Sequence, residues 1–249
     1  HAVPTLAALL TGLVALSLVV VFMQTLNARL LRWGNALGLG GFILPVFLTV
    51  AHRMVPFFAG NVLEDYRRWR PDWLLGALWL LLALRTGADL AGLDLAAGFG
   101  ALGLAGLTGL MAWRWWPRRA APGLLWVLIL GFTWAPIGFL LVAIGSLGAE
   151  IGRAPVHALA LGFAGSLLVA MVTRVTQGHS GRPLAMYPLA WLAFASVQAA
   201  ALLRLAAALQ GEPGTLLVLV AAIFAAGLLP WLASNAAIYA AARRDGRPG

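Results

Sequence analysis

The feature that most constrains this chain is a series of long apolar runs, each approaching the roughly 20 residues that cross the hydrocarbon core of a bilayer. Eight such runs can be drawn within the 249 residues, of which 62% are hydrophobic and 10% are charged. A soluble domain carries about 25% charged residues, so a water-exposed globule is excluded. The runs predict an all-α, polytopic transmembrane helical bundle with about eight spanning helices, forming a single domain over residues 1–249.

The limits of the runs predict where each span begins and ends. The second span is predicted to end at His52, and a polar connector is predicted over residues 53–71. Pro45, Pro136 and Pro230 fall inside spans, where a proline removes a backbone donor and kinks the helix. The eight predicted spans are residues 3–26, 35–52, 72–87, 93–113, 123–147, 155–176, 184–209 and 213–242.

All basic residues are arginines, and alternating the spans across the bilayer places twelve of them on one face and five on the other. Basic connectors mark the cytoplasmic side of a membrane, so the richer face and both ends of the chain are predicted to be cytoplasmic. Despite a net charge of +9, arginines scattered over connectors do not form a nucleic-acid groove. The predicted partner is the lipid bilayer. The richer face carries Arg53, Arg67, Arg68, Arg70, Arg114, Arg118, Arg119, Arg174, Arg182, Arg243, Arg244 and Arg247.

Three histidines are the candidate metal ligands, because each lies at the end of a predicted span and the chain contains no cysteine. Without thiolates, imidazole is the best ligand that this chain offers to haem iron or copper. His157 and His179 are 22 residues apart, about 33 Å along a continuous helix, so they cannot share one metal. His52 and His179 fall on the same side of the membrane and could be axial partners. The alternative for each is a histidine bonded to a backbone carbonyl or lying among headgroups; His1 receives no interpretation.

Arginines flank two of these histidines and are candidates for binding the propionates of haem. Arg53 follows His52, whereas Arg174 and Arg182 stand on either side of His179. The forked guanidinium group suits carboxylates. The alternative is that these arginines serve only to mark the cytoplasmic face.

Two stretches of the sequence form recognisable motifs. Residues 157–183 begin with a histidine and end in the pattern Met-x-x-Arg-x-x-x-Gly-His-x-Gly-Arg, which runs from Met171 to Arg182. Residues 52–58 read His-Arg-Met-Val-Pro-Phe-Phe. The first motif resembles the signature of the NnrS family, and the second is similar to that family's Gly-Arg-x-x-Pro-Phe-Phe element, with His52 in place of the glycine. The motifs lie about a hundred residues apart in the expected order, so the resemblance covers most of the chain.

The resemblance implies a bacterial inner-membrane protein that contains haem, expected to be haem b, and copper, and that is associated with denitrification and tolerance of nitric oxide. It also implies a longer protein of about twelve helices, of which this chain is expected to be the later two-thirds, lacking amino-terminal helices and their histidines. His157 and His179 are then the best ligand candidates, with Arg174 and Arg182 assisting. Two other functions stay open, a cofactor-free permease for small solutes and a scaffold subunit of a membrane complex. No enzymatic reaction is assigned.

Overall fold

The computed structural model describes residues 2–211 and 213–244, which form helices joined by short connectors and include no β-strand. Eight of these helices are long and apolar enough to cross a membrane, which confirms the predicted helical bundle. His1 and Arg247 lie outside the described residues. The spanning helices are α1 (Val3–Thr25), α2 (Ala28–Val62), α3 (Asp72–Leu90), α4 (Asp94–Trp115), α5 (Gly123–Ser146), α6 (Ala154–His179), α7 (Pro188–Leu209) and α8 (Gly214–Ala240).

Helix α2 is much longer than the sequence predicts. It has 35 residues, about 50 Å at 1.5 Å per residue, and it passes through His52 without ending. The prediction of a connector from residue 53 is therefore wrong for residues 53–62. Arg53 and Pro56 suggest a helix end, but Pro56 lies inside the helix, as membrane helices tolerate when neighbouring groups satisfy the freed carbonyl.

Two of the predicted kinks coincide with interruptions of regular α-helix. A π-helical segment, Leu37–Ile43, ends just before Pro45, whose ring would otherwise meet the carbonyl of the residue four positions earlier. Helix α5 consists of Gly123–Phe132 and Trp134–Ser146, and the break at Thr133 lies three residues before Pro136. The kink at Pro230 stays a prediction, because α8 continues through that residue.

Helix α6 also contains a π-helical segment. It begins as the α-helical turn Ala154–His157, continues as π-helix over Ala158–Gly165 and ends as α-helix over Ser166–His179. A π-helix bonds residue i to i+5 and winds more residues into each turn. A constant 100° per residue therefore does not describe α6, and the angle between His157 and His179 around the helix axis does not follow from their spacing in the sequence.

The centre of the bundle is built by α2, α4, α5 and α6. The ring of Phe163 packs edge-on against Phe47 and Phe132, with centroid distances of 6.2 and 5.7 Å, and Phe132 lies 4.8 Å from Trp115. Small residues allow close approach, because a Cβ atom on Gly138 would lie 2.6 Å from the side chain of Leu159. Helices α1 and α8 are the least buried and form the outer parts of the bundle.

Polar side chains inside the bundle are joined across helices. The indole Nε1 of Trp134 donates to Oε1 of Gln198 at 2.7 Å, and Nε2 of Gln198 donates to the hydroxyl of Ser166 at 2.5 Å, which links α5, α7 and α6. Trp231 of α8 donates to Thr173 of α6 at 3.0 Å. Each such bond contributes roughly 0.6–1.7 kcal/mol in membrane proteins.

Short connectors make consecutive helices antiparallel, so the bundle has two distinguishable ends. We define the arginine-rich end as the one formed by connectors 63–71, 116–122 and 180–187, which carries most of the arginines outside the helices. The opposite end contains connectors 91–93 and 147–153.

Candidate cofactor site at the arginine-rich end

The carboxyl end of α6 is closed by a glycine cap that fixes the position of His179. Gly181 has a φ of +66°, in the left-handed region. The amide of Arg182 donates to the carbonyl of Gln177 at 3.0 Å, the bond that defines a Schellman cap. His179 therefore occupies the last helical position, and Arg182 is the first residue beyond the glycine. The Gly-His-x-Gly-Arg motif is in part a helix-stop signal.

Two further contacts hold the segment after the cap. The side-chain amide of Gln177 donates to the carbonyl of Ala185 at 2.6 Å and accepts from the amide of the same residue at 2.9 Å. The amide of Arg244, beyond α8, donates to the carbonyl of Ser180 at 3.1 Å. The chain around His179 is thus fastened both to α6 and to the end of α8.

His179 opens onto a cavity of about 480 Å³ between the ends of α6 and α8. This volume lies within the range of about 300–1,000 Å³ typical of small-molecule sites. The imidazole is exposed, so it can reach a ligand in the cavity. The cavity is lined by His179, Ser180, Ile238, Tyr239, Ala241, Ala242 and Arg243.

The two predicted arginines of this segment have different surroundings. Arg174 is half-buried, and its Cζ lies 3.7 Å from the centroid of the Phe58 ring of α2, a cation–π contact. Arg182 is also half-buried, and its Nη1 has no hydrogen-bond partner among the described residues. A buried guanidinium donor without an acceptor is poised for an anionic group.

His52 is fully buried inside the bundle. Its Nε2 lies 3.2 Å from the carbonyl oxygen of Pro71, to which it donates, so the imidazole fastens the end of connector 63–71 to α2. The structure thus supports the alternative of a histidine bonded to a backbone carbonyl. The neighbouring Arg53 is exposed.

His157 lies at the opposite end of α6 from His179. Its Nε2 is 2.6 Å from Nη2 of Arg204, on α7. Because a guanidinium only donates, Nε2 is the acceptor in this contact and the imidazole is neutral, with its proton on Nδ1. Arg204 lies inside a predicted span, and an ionisable residue at that depth needs a partner, a signal from which this pair could have been found.

The structure brings His179, Arg174 and Arg182 to one end of the bundle and leaves His157 at the other. It joins the two family motifs through the contact of Arg174 with Phe58. Sequence reasoning missed Tyr239 and Arg243, which line the cavity from beyond the sixth span and carry no local signal. Among the described residues, no three His, Asp or Glu side chains are grouped so that they could hold a metal ion.

Comparison with known proteins points to the same family as the two sequence motifs. A family model described as "NnrS protein" matches residues 1–243. No curated protein and no solved structure matched the chain. Since the matched region spans nearly the whole sequence, the chain belongs to the NnrS family.

Proposed function

We propose that this membrane protein binds haem b through His179 at the arginine-rich end of the bundle and serves in tolerance of nitric oxide during denitrification. The observation that carries the proposal is that the exposed imidazole of His179 opens onto a cavity of about 480 Å³. Arg182 follows three residues later in the chain, and its buried Nη1 has no hydrogen-bond partner among the described residues. Family membership supports the same assignment, because the segment is the motif by which the sequence resembles NnrS proteins.

The residues of this end fit haem in their donor chemistry. His179 supplies one nitrogen ligand for iron, and Arg243, which lines the same cavity, suits one propionate. Arg182 does not line the cavity, and its buried Nη1 would turn toward it to reach the second propionate. Ile238 and the neighbouring alanines give the cavity an apolar wall. Bound there, haem supplies an iron that binds nitric oxide and exchanges single electrons. The protein's own part is to hold the imidazole by the cap at Gly181 and to supply the apolar wall of the cavity.

His52, His157 and Arg53 have a lesser part in this proposal. The contacts of His52 with Pro71 and of His157 with Arg204 engage the Nε2 atom of each ring, and Arg53 is exposed at some distance along α2 from its end. Copper is implied only by the resemblance, and the described residues do not group three ligands for it. We therefore derive no copper chemistry.

The proposal also assigns an orientation. The arginine-rich end faces the cytoplasm of a bacterial inner membrane, since basic connectors stay on that side during insertion. With eight spans, both ends of the described chain then lie in the cytoplasm, and the cavity at His179 is entered from that side.

Metal analysis and an optical spectrum of the purified protein, expressed with haem available, test the proposal. We expect about one haem per chain and a Soret band that is lost in His179→Ala. Arg182→Gln should retain the band but release haem more readily. A matched control is His157→Ala, at the far end of the same helix, which should keep its haem content. Unchanged haem content in His179→Ala, or a wild-type protein without a Soret band, would refute the assignment, and the latter would favour the permease.

A further inference from the structure

A second cavity of the arginine-rich end lies apart from the His179 site. Its volume is about 640 Å³, and it is enclosed by connector 63–71, the end of α4 and the start of connector 116–122. None of its residues belongs to the two family motifs. Its charged lining residues are Glu64, Asp65, Arg67, Arg114, Arg118 and Arg119.

The charge of this cavity is predominantly positive, and its arginines form no ion pair with the described residues. Four of the lining residues are arginines and two are acidic. Among the described residues, the one ion pair within 4.0 Å joins Arg85 to Asp89, elsewhere in the bundle, so neither Glu64 nor Asp65 pairs with these arginines. Guanidinium groups gathered without carboxylate partners favour an anionic ligand.

Aromatic rings hold two of the guanidinium groups in place. The Cζ of Arg114 lies 5.6 Å from the ring centroid of Trp69 and 4.9 Å from that of Trp113. The Cζ of Arg118 lies 5.8 Å from the ring of Trp113. Stacking uses the flat face of guanidinium and leaves its N–H edge available for hydrogen bonds. These contacts favour particular positions of the Arg114 and Arg118 guanidinium groups before a ligand binds.

The walls are fixed as well. Nε1 of the buried Trp115 donates to the carbonyl of Trp69 at 2.9 Å, which ties connector 63–71 to α4. The Trp116 ring packs edge-on against Trp126, with centroids 5.4 Å apart. A preformed site of this kind loses little conformational entropy on binding.

The depth of the cavity indicates where its ligand comes from. Trp113 is 57% exposed and Trp116 is 41% exposed, and exposed tryptophans at helix ends lie at the level of lipid headgroups. Basic pockets between transmembrane helices at this level bind anionic headgroups. A cavity of similar size at the opposite end contains two arginines and two aspartates, Arg29, Arg32, Asp89 and Asp94, and so lacks this excess of positive charge.

We propose that the cavity lined by Arg67, Arg114, Arg118 and Arg119 binds the phosphate group of an anionic phospholipid, such as phosphatidylglycerol, at the inner surface of the membrane. The arginine N–H groups donate to the phosphate oxygens, and the tryptophans pack beside the glycerol backbone. The site is independent of haem.

Native mass spectrometry of the purified full chain in detergent tests this proposal by titration with phosphatidylglycerol and, separately, phosphatidylcholine. We expect one phosphatidylglycerol bound in preference to phosphatidylcholine. Arg118→Gln and Arg119→Gln should each weaken its binding about tenfold or more, the factor typical of a hydrogen bond to a charged group. The matched control is Arg70→Gln, an exposed arginine of connector 63–71 that does not line the cavity, and this variant should bind within about twofold of wild type.

Arg119→Gln keeps the tryptophan contacts of Arg114 and Arg118, so it tests the cavity even if Arg118→Gln proves unstable. Equal affinity in Arg119→Gln, Arg70→Gln and wild type would overturn the proposal, as would equal binding of the two lipids. Millimolar inorganic phosphate distinguishes the source of the phosphate group. If phosphate does not displace the lipid, the result supports a lipid site. If phosphate displaces the lipid and also binds alone in an arginine-dependent manner, the ligand is a soluble phosphate compound and the lipid proposal is wrong.

Discussion

Two glycines lie three residues apart in one motif, and replacing each with alanine should change the free energy of unfolding in opposite directions. Gly181 adopts a φ of +66°, where a Cβ atom approaches the carbonyl oxygen and costs roughly 1–2 kcal/mol. Gly178 is helical, and a Cβ atom there would lie 3.8 Å from Cδ2 of Leu184, an ordinary contact. Alanine at a helical position is favoured over glycine by roughly 0.5–1 kcal/mol.

Gly181→Ala is therefore expected to lower the free energy of unfolding by about 1–2 kcal/mol, and Gly178→Ala to raise it by about 0.5–1 kcal/mol. The two variants should differ by roughly 1.5–3 kcal/mol although each adds one methyl group. Gly181→Asn should recover part of the loss, because asparagine tolerates the left-handed region better than alanine.

Equilibrium unfolding in mixed micelles with increasing sodium dodecyl sulfate, followed by far-ultraviolet circular dichroism, measures these differences. The variants are compared at equal detergent composition and protein concentration. If Gly181→Ala leaves the midpoint of the unfolding transition unchanged, the cap is not in the left-handed conformation. A loss of equal size at both positions would show that the segment rejects any added volume, and the reasoning from φ would then be wrong.

Three other predictions concern packing, ionisation and orientation. Gly138→Ala should destabilise the protein by about 1–3 kcal/mol, because the new Cβ atom would lie 2.6 Å from two side-chain atoms of the buried Leu159; thermal unfolding measures the loss. Burial raises the pKa of Tyr66 above its usual 10.0; its neutral form is therefore favoured in the folded protein, and stability should fall as pH rises above about 10. A cysteine replacing Glu150 should react in intact cells with a membrane-impermeant maleimide, whereas one replacing Asp65 should react only after permeabilisation.

Each of these has its own control. Gly106→Ala, at a helical position where nothing lies within 4 Å of the added Cβ, should instead raise the stability by about 0.5–1 kcal/mol. Tyr66→Phe should remove the part of the alkaline loss that belongs to this hydroxyl, and an identical pH profile in that variant would contradict the assignment. The chain has no cysteine, so wild type is the unlabelled reference, and labelling of the Asp65 position in intact cells would reverse the orientation.

Local composition was sufficient to predict most of the fold. The spans are apolar along nearly their whole length, and Pro136 marks the break in α5 because its effect acts within one turn. The end of α2 could not be found in this way. Arg53 and Pro56 suggest a connector locally, whereas His52 is buried because connector 63–71 folds back and presents the carbonyl of Pro71, a contact that depends on tertiary structure.

The sequence indicated individual residues of the candidate site but not which of them lie close together. The motif ending in Arg182 was recognisable, and the opposite ends of α6 correctly separate His157 from His179. The contact of Arg174 with Phe58 joins residues more than a hundred positions apart. The cavity further depends on Tyr239 and Arg243, whose position follows from the packing of α8 against α7 and not from any pattern near them.

The length of α2 links the site to the thickness of the bilayer. A helix of 35 residues exceeds a hydrocarbon core of about 30 Å by roughly 20 Å, so it must tilt or project into the headgroups. Phe58 lies in the last turns of this helix, where it covers the guanidinium of Arg174. Because Phe58 contacts Arg174, we expect a change in the tilt of α2 to alter the surroundings of this arginine.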